Sequence, residues 1–182
     1  MRIISGTHKG RRISAPRHLP VRPTTDMAKE ALFNILHNIY FFEELVVLDL
    51  YSGTGNISYE LASRGCKAIT AVDSNYQCIR FIKKTSHALG FPISGIKTEA
   101  IEYLEKTTQT FDLIFADPPY NQPPEAFKKL QDLVFQRNLL REDGVLIIEH
   151  SKHTELSELE YFEQQRKYGG SIFSFFRQDP VN

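Results

Sequence analysis

VVLDLYSGTGNIS, residues 46–58, decides the fold. The apolar run LVVLDLY (45–51) is too short for a free-standing helix and reads as a buried strand. It runs into a glycine-rich turn, and NISYELASRG (56–65) continues as a helix closed by Gly65. Strand, glycine turn and helix start together make an α/β unit. They place Tyr51, Ser52, Gly53, Thr54 and Gly55 at the carboxyl end of a strand, where open α/β sheets bind ligands. Gly53 and Gly55 would let a ligand approach the backbone closely. The dinucleotide pattern G-x-G-x-x-G is not met, because Ser58 occupies the third glycine position, and no P-loop lysine is present. A ligand without a pyrophosphate is expected.

The same alternation extends outward on both sides. AITAVD (68–73), ISGIKTE (93–99), FDLIFAD (111–117) and GVLIIEHS (144–151) read as further strands. Between them lie helical segments at 76–90, at AIEYLEKT from residue 100, and at 124–138. Strands alternating with helices imply a parallel sheet covered on both faces. The tail departs from this, because Gly169-Gly170 separates two strand-like runs in YFEQQRKYGGSIFSFFRQ, a hairpin signal that would finish the sheet with an antiparallel pair. Upstream, Ala31, Leu32, Ile35, Leu36 and Ile39 recur at helical spacing, so a helix is expected over about 26–40, capped by Thr25 or Asp26. Before it, RIIS and RRIS flank GTHKG and read as a hairpin arm, joined to the body by the proline-rich SAPRHLPVRP. One domain is expected, with arm and linker at 1–25 and the α/β body at 26–182.

Of 182 residues, 41% are hydrophobic and 24% charged, as in a soluble globular chain. No apolar run reaches the length of a membrane span, and MRIISGTHKGRR lacks the apolar stretch of a signal peptide, so a cytosolic protein is expected. Cys66 and Cys78 have no metal-type spacing; they read as reduced structural cysteines, and no metal site is expected. Net charge is zero but unevenly placed. Arg2, Lys9, Arg11, Arg12, Arg17 and Arg22 fall in the first 22 residues without one acid, leaving the remaining 160 residues at −6 (16 basic, 22 acidic). A basic arm on an acidic body points to an anionic partner held at one location.

Three acids fall at successive strand ends. Asp49 precedes the glycine turn. Asp73, followed by Ser74, stands 20 residues after Gly53, where a carboxylate can accept both hydroxyls of a ribose. Glu99, followed by Ala100, can reach an adenine amino group. A nucleoside with a cationic tail near Asp49 fits this set best, and S-adenosylmethionine is such a ligand. ADPPYN (116–121) then acquires a purpose. Its prolines hold Asp117 out of helical geometry and leave the Pro118 and Pro119 nitrogens without protons. An exocyclic amine on a nucleobase is a poor nucleophile, since its lone pair is delocalised into the ring. Asp117 and the Pro118 carbonyl can accept its two N–H groups and so favour the cationic transition state over the flat ground state. Tyr120 can stack on the base, worth ~1–3 kcal/mol. The base must be unpaired or flipped to enter.

The chain resembles the bacterial small-subunit rRNA guanine-N2 methyltransferases nearly end to end. The matching stretches are MRIISGTHKGRRI, VRPTTDMAKEALFNIL, VLDLYSGTGNISYELASRG, AVD, FDLIFADPPY and KYGGSIFSFFR. The resemblance implies a Rossmann-like class I methyltransferase domain with strand order 3-2-1-4-5-7-6, the last strand antiparallel, using S-adenosylmethionine. Its implied product is N2-methylguanine in 16S rRNA, at guanine 966 for the family, made in assembled small-subunit particles. Apart from the resemblance, a monomer is expected. Asp49, Gly53 and Gly55 match the family's cofactor turn and Asp73 its ribose acid. Asp117, Pro118, Pro119 and Tyr120 match its catalytic motif, and Arg22, Pro23 and Thr24 the segment entering the first helix. Departures are mild: Ser52 for Ala, Ser58 for Gly, Glu99 for Asp, Thr85 for Asn and Tyr120 for Phe. The alternative is an adenine-N6 methyltransferase, which shares Asp-Pro-Pro-Tyr.

Overall fold

The computed structural model describes residues 1–16, 19 and 24–178. Helix α1 (Asp26–His37) is followed by a 3-10 turn (Phe42–Glu44) that the sequence pattern did not reveal. The α/β succession is β1 (Val46–Leu50), α2 (Asn56–Ser63), β2 (Ala68–Asp73), α3 (Tyr76–Leu89), β3 (Ile93–Lys97), α4 (Ala100–Lys106), β4 (Phe111–Ala116), α5 (Pro124–Gln136) and β5 (Leu140–Ser151). The hairpin β6 (Phe162–Tyr168) and β7 (Ser171–Phe176) closes the chain. One seven-stranded sheet results, in the order 3-2-1-4-5-7-6, with β7 antiparallel to both neighbours, as expected.

Alternation along each strand divides the core into two layers. Val47, Ile69, Leu113, Phe115, Val145 and Ile147 face α1, α2 and α3. Leu48, Val72, Ile114, Ala116, Leu146 and Ile148 face α4 and α5. Caps set the helix starts: Thr25 accepts from the Ala28 N–H, and Asn75 from those of Gln77 and Cys78. Strand β5 begins four residues before the apolar run suggests. Leu140 pairs with Phe111, and the register then shifts, with Asp143 at φ 59, before Val145 pairs with Leu113.

The arm differs from a regular hairpin. Arg2 and Arg12 form a single antiparallel bridge, supported by Ile3 N–H to Arg11 O and Ile13 N–H to Met1 O. Gly10 N–H to Ile3 O adds one further bond, and the pairing stops there because the next donors of the first strand are used by the body. The N–H groups of Ile4 and Ser5 donate to the Glu60 carboxylate (2.7 and 3.0 Å), and that of Thr7 to Ser63 O (2.7 Å). Gly6 lies so close to α2 that a Cβ on it would sit 1.7 Å from Ser63 O, and its φ of +82° also calls for glycine. Ile3 and Ile13 belong to the same buried layer as α1 and α2.

Glu60 is fully buried, and its partner Lys29 is 1% exposed, 3.6 Å away. Burial lowers the Lys29 ammonium below its usual range, and the Glu60 carboxylate works against that shift. Lys29 also donates to Arg2 O and to Asn56 Oδ1, so one ammonium ties the arm, α1 and α2 together. Lys29→Met leaves the buried carboxylate to Arg64, 2.8 Å away, and to the Ile4 and Ser5 N–H groups, but removes the tie to Arg2 O and Asn56 Oδ1; it is expected to cost about 2 kcal/mol in denaturant unfolding, with faster tryptic cleavage in the arm. An unchanged midpoint would show that the ion pair is dispensable.

Candidate active site

The carboxyl edge of the sheet carries a row of acids. By strand alternation, Asp73 (β2), Asp49 (β1), Asp117 (one residue past β4) and Glu149 (β5) lie on the face covered by α1–α3. Asp117 is held in line with β1, since its N–H donates to Leu50 O at 3.4 Å.

Asp49 is 1% exposed, and burial pushes its carboxyl up to about 7, against a hydrogen bond from Ser58 Oγ at 2.5 Å that lowers it. The turn after β1 starts with a non-glycine residue in the left-handed region, Tyr51 at φ 56, followed by Gly53 at 51° and Gly55 at 87°. Strained backbone of this kind recurs at ligand clamps. Burial, and after it the charge of the Glu99 carboxylate, push the Tyr51 phenol up to about 12. Asp73 anchors the turn, accepting from Gly53 N–H through Oδ2 and from Asn75 N–H through Oδ1, both at 2.8 Å. Each oxygen keeps a lone pair for another donor.

Some expectations need correction. Glu99 does not end a strand: β3 stops at Lys97, and Glu99 is the exposed N-cap residue of α4, with no side-chain capping bond and Ala100 buried behind it. Gly55 also has a packing reason to be glycine, since a Cβ there would meet the Tyr59 ring at 2.9 Å and Ile82 at 3.0 Å. Ser52 and Thr54 are buried in the turn, and Ser52 donates to Val72 O through both N–H and Oγ, while Ser74 is exposed beside it. Pro118 is buried, Pro119 exposed and Tyr120 half-buried, its hydroxyl 3.5 Å from Ser171 Oγ on β7.

Glu149 was missed by sequence reasoning. It is 2% exposed and accepts from Thr24 Oγ1 at 2.9 Å, while Thr24 O accepts from Asn56 Nδ2 at 3.1 Å. Thr24, two residues before α1, is thereby fixed at the carboxyl edge of the sheet. The available signal was an acid closing the apolar run VLII in a central strand. Arg17, Arg22 and Pro23 lie outside the described residues. Lys9, Arg11 and Arg12 are exposed, whereas Arg2 pairs with Asp26 at 3.2 Å. Among the described residues no helix is long and apolar enough to cross a membrane, and both cysteines are free and buried.

A dry carboxyl at Asp49, a carboxylate with spare lone pairs at Asp73, and Tyr51 beside Glu99 fit a nucleoside with a cationic tail. The fold is that of the class I S-adenosylmethionine-dependent methyltransferases. The model of a family described as conserved hypothetical protein 95 matches residues 1–177, and the chain belongs to that family, the one of the small-subunit rRNA methyltransferases D. It is 34% identical over 165 residues to the "Putative rRNA methyltransferase YlbH" of Bacillus subtilis, covering 87% of this chain and 86% of that one. It is 31% identical over 150 residues to ribosomal RNA small subunit methyltransferase D of Buchnera aphidicola, covering 82% and 75%. Among solved structures, the Thermus thermophilus 16S rRNA N2 G1207 methyltransferase, in complex with AdoMet and guanosine, superposes with a TM-score of 0.70 at 20% identity, over 88% of this chain and 45% of that one.

Proposed function

We propose that this chain methylates the exocyclic N2 of a guanine in 16S rRNA, with S-adenosylmethionine as donor and guanine 966, the family's target, as the site. The observation that carries this reading is the placement of Asp117-Pro118-Pro119-Tyr120 directly beyond β4, tied to β1 beside the glycine turn. When bound, the donor supplies an electrophilic methyl on a sulfonium whose sulfur leaves as a thioether. Asp49 faces its cationic tail, Asp73 its ribose hydroxyls, and Tyr51 with Glu99 its base. Asp117 and the Pro118 carbonyl accept the N–H groups of the target amine, and Asp117 takes the proton that nitrogen must lose. Tyr120, tethered to β7, stacks on the extruded base. Lys9, Arg11 and Arg12, with Arg17 and Arg22, contact RNA phosphates, and Arg2 contributes less because Asp26 already pairs with it. The relatives' names support rRNA as substrate; the setting proposed with it is the small-subunit particle in the cytoplasm, met by a monomer.

The test supplies labelled S-adenosylmethionine to the purified chain with small subunits from cells lacking the corresponding gene. Label is expected in N2-methylguanine after digestion of 16S rRNA. Label appearing in duplex DNA as N6-methyladenine instead would replace guanine with adenine in the assignment.

A further inference from the structure

A cleft of about 540 Å³ lies between the arm and α3, away from the acids of the sheet edge. One wall is arm backbone from Arg11 to Pro16 with Leu19; the other is a single stripe of α3. Gln77, Arg80, Phe81, Lys84, Ala88 and Leu89 recur at three- and four-residue spacing, which puts them on one helical face. Arg11, Arg12, Arg80 and Lys84 line the cleft, and no acid does. All four are exposed, and none makes an ion pair among the described residues. On a chain of net charge zero, four unpaired cations around one concavity are a local excess. Ile13, Leu19, Phe81 and Leu89 add an apolar lining between the charges.

We infer that this cleft binds the phosphodiester backbone of the RNA flanking the target nucleotide, with Arg80 and Lys84 of α3 as contacts no less than the arm. This rests on the rRNA reading above. The geometry supports a track rather than a point site. Gln77, at one end, is two residues from Asn75, which Asp73 holds at the cofactor edge. From there the stripe runs about 18 Å to Leu89, at 1.5 Å per helical residue. The arm wall is fixed through Glu60 and Ser63, so the separation of the two cationic rows is set by the fold. A strand of RNA offers spaced phosphates for the rows and sugar and base faces for the apolar lining.

The experiment compares the parent chain, Arg80→Ala/Lys84→Ala and a charge-matched control, Lys106→Ala/Lys128→Ala, whose lysines sit on the opposite face of the sheet and pair with Glu102 and Asp132. Affinity for unmodified 16S rRNA is measured across a salt series, with KM for RNA and S-adenosylhomocysteine affinity alongside. The α3 variant is expected to bind RNA about tenfold more weakly at moderate salt, with the salt slope reduced by about 1.5. Its KM for RNA should rise while S-adenosylhomocysteine affinity and melting temperature match the parent. A parental slope and KM in the α3 variant, with the parent methylating rRNA, would overturn the cleft and leave the methyltransferase reading standing. Equal flattening in the control would overturn it too, as an effect of net charge. A parent that neither binds nor methylates rRNA would remove the functional reading itself, and the cleft assignment with it.

Discussion

Asp117→Ala is expected to lower methyl transfer by about 10³-fold while rRNA and S-adenosylhomocysteine still bind. Losing one preorganised partner of a developing charge costs about 10²–10³ in turnover, and losing a positioned proton acceptor costs a similar factor. Asp117→Asn keeps an acceptor but cannot take the proton, so it should fall between the parent and the alanine variant. Single-turnover rates at saturating RNA and donor separate this from a binding defect. A fall confined to KM would make Asp117 a positioning group for the base, and unchanged turnover would remove it from the chemistry. The backbone at this position should survive either change, because its tie to Leu50 O uses the main chain.

Asp49→Asn should weaken S-adenosylmethionine binding by about 10²-fold, the order lost when a buried charge-assisted contact is removed. The pH dependence is a more selective readout. With the Asp49 carboxyl at about 7 in the folded chain, a cationic ligand selects the ionised form. Affinity in the parent should therefore weaken about tenfold from pH 8 to pH 6, and in the asparagine variant it should be flat. The free chain should respond in the opposite sense. A carboxyl raised from 3.8 to about 7 on folding holds its proton more tightly in the folded state. Folding stability then falls as pH rises between those values, and the full cost is present above pH 7. Asp49→Asn should accordingly raise stability by about 2–4 kcal/mol at pH 8, with the advantage gone near pH 4. A variant no more stable at pH 8, with ligand affinity that still follows pH, would place the titrating group elsewhere.

The strands and most helices could be read from local periodicity, because each buries one face and the apolar spacing records it. The position of Asp49, Asp73 and Asp117 at the carboxyl edge of the sheet was legible too: Asp73 and Asp117 close apolar runs, and Asp49 stands one residue before β1 ends, just ahead of the glycine turn. Glu149 closes such a run as well, but it has no glycine turn or proline pair beside it, and its partner Thr24 is far away in the chain. The packing need for Gly55 was not legible, because the sequence shows the turn and not the Tyr59 ring packed beneath it. Glu99 was placed at a strand end that lies two residues earlier. The arm was legible as a basic hairpin, but its incomplete pairing depends on Glu60 and Ser63, long-range partners that no local pattern reports. The cleft joins residues 11–16 and Leu19 to residues 77–89 and exists only once the chain has folded.

The arm's attachment through Gly6, Glu60 and Lys29 has a further consequence for how a substrate is met. Conformational freedom in that element was surrendered when the chain folded, so little remains to be lost on association. With the arm in the RNA-contacting role proposed above, whatever adjustment docking demands must come from the nucleic acid. A protein built this way measures the shape of what it touches: an RNA that already holds its target loop at the right span is accepted at small cost, and a loose or misfolded one must be straightened at its own expense.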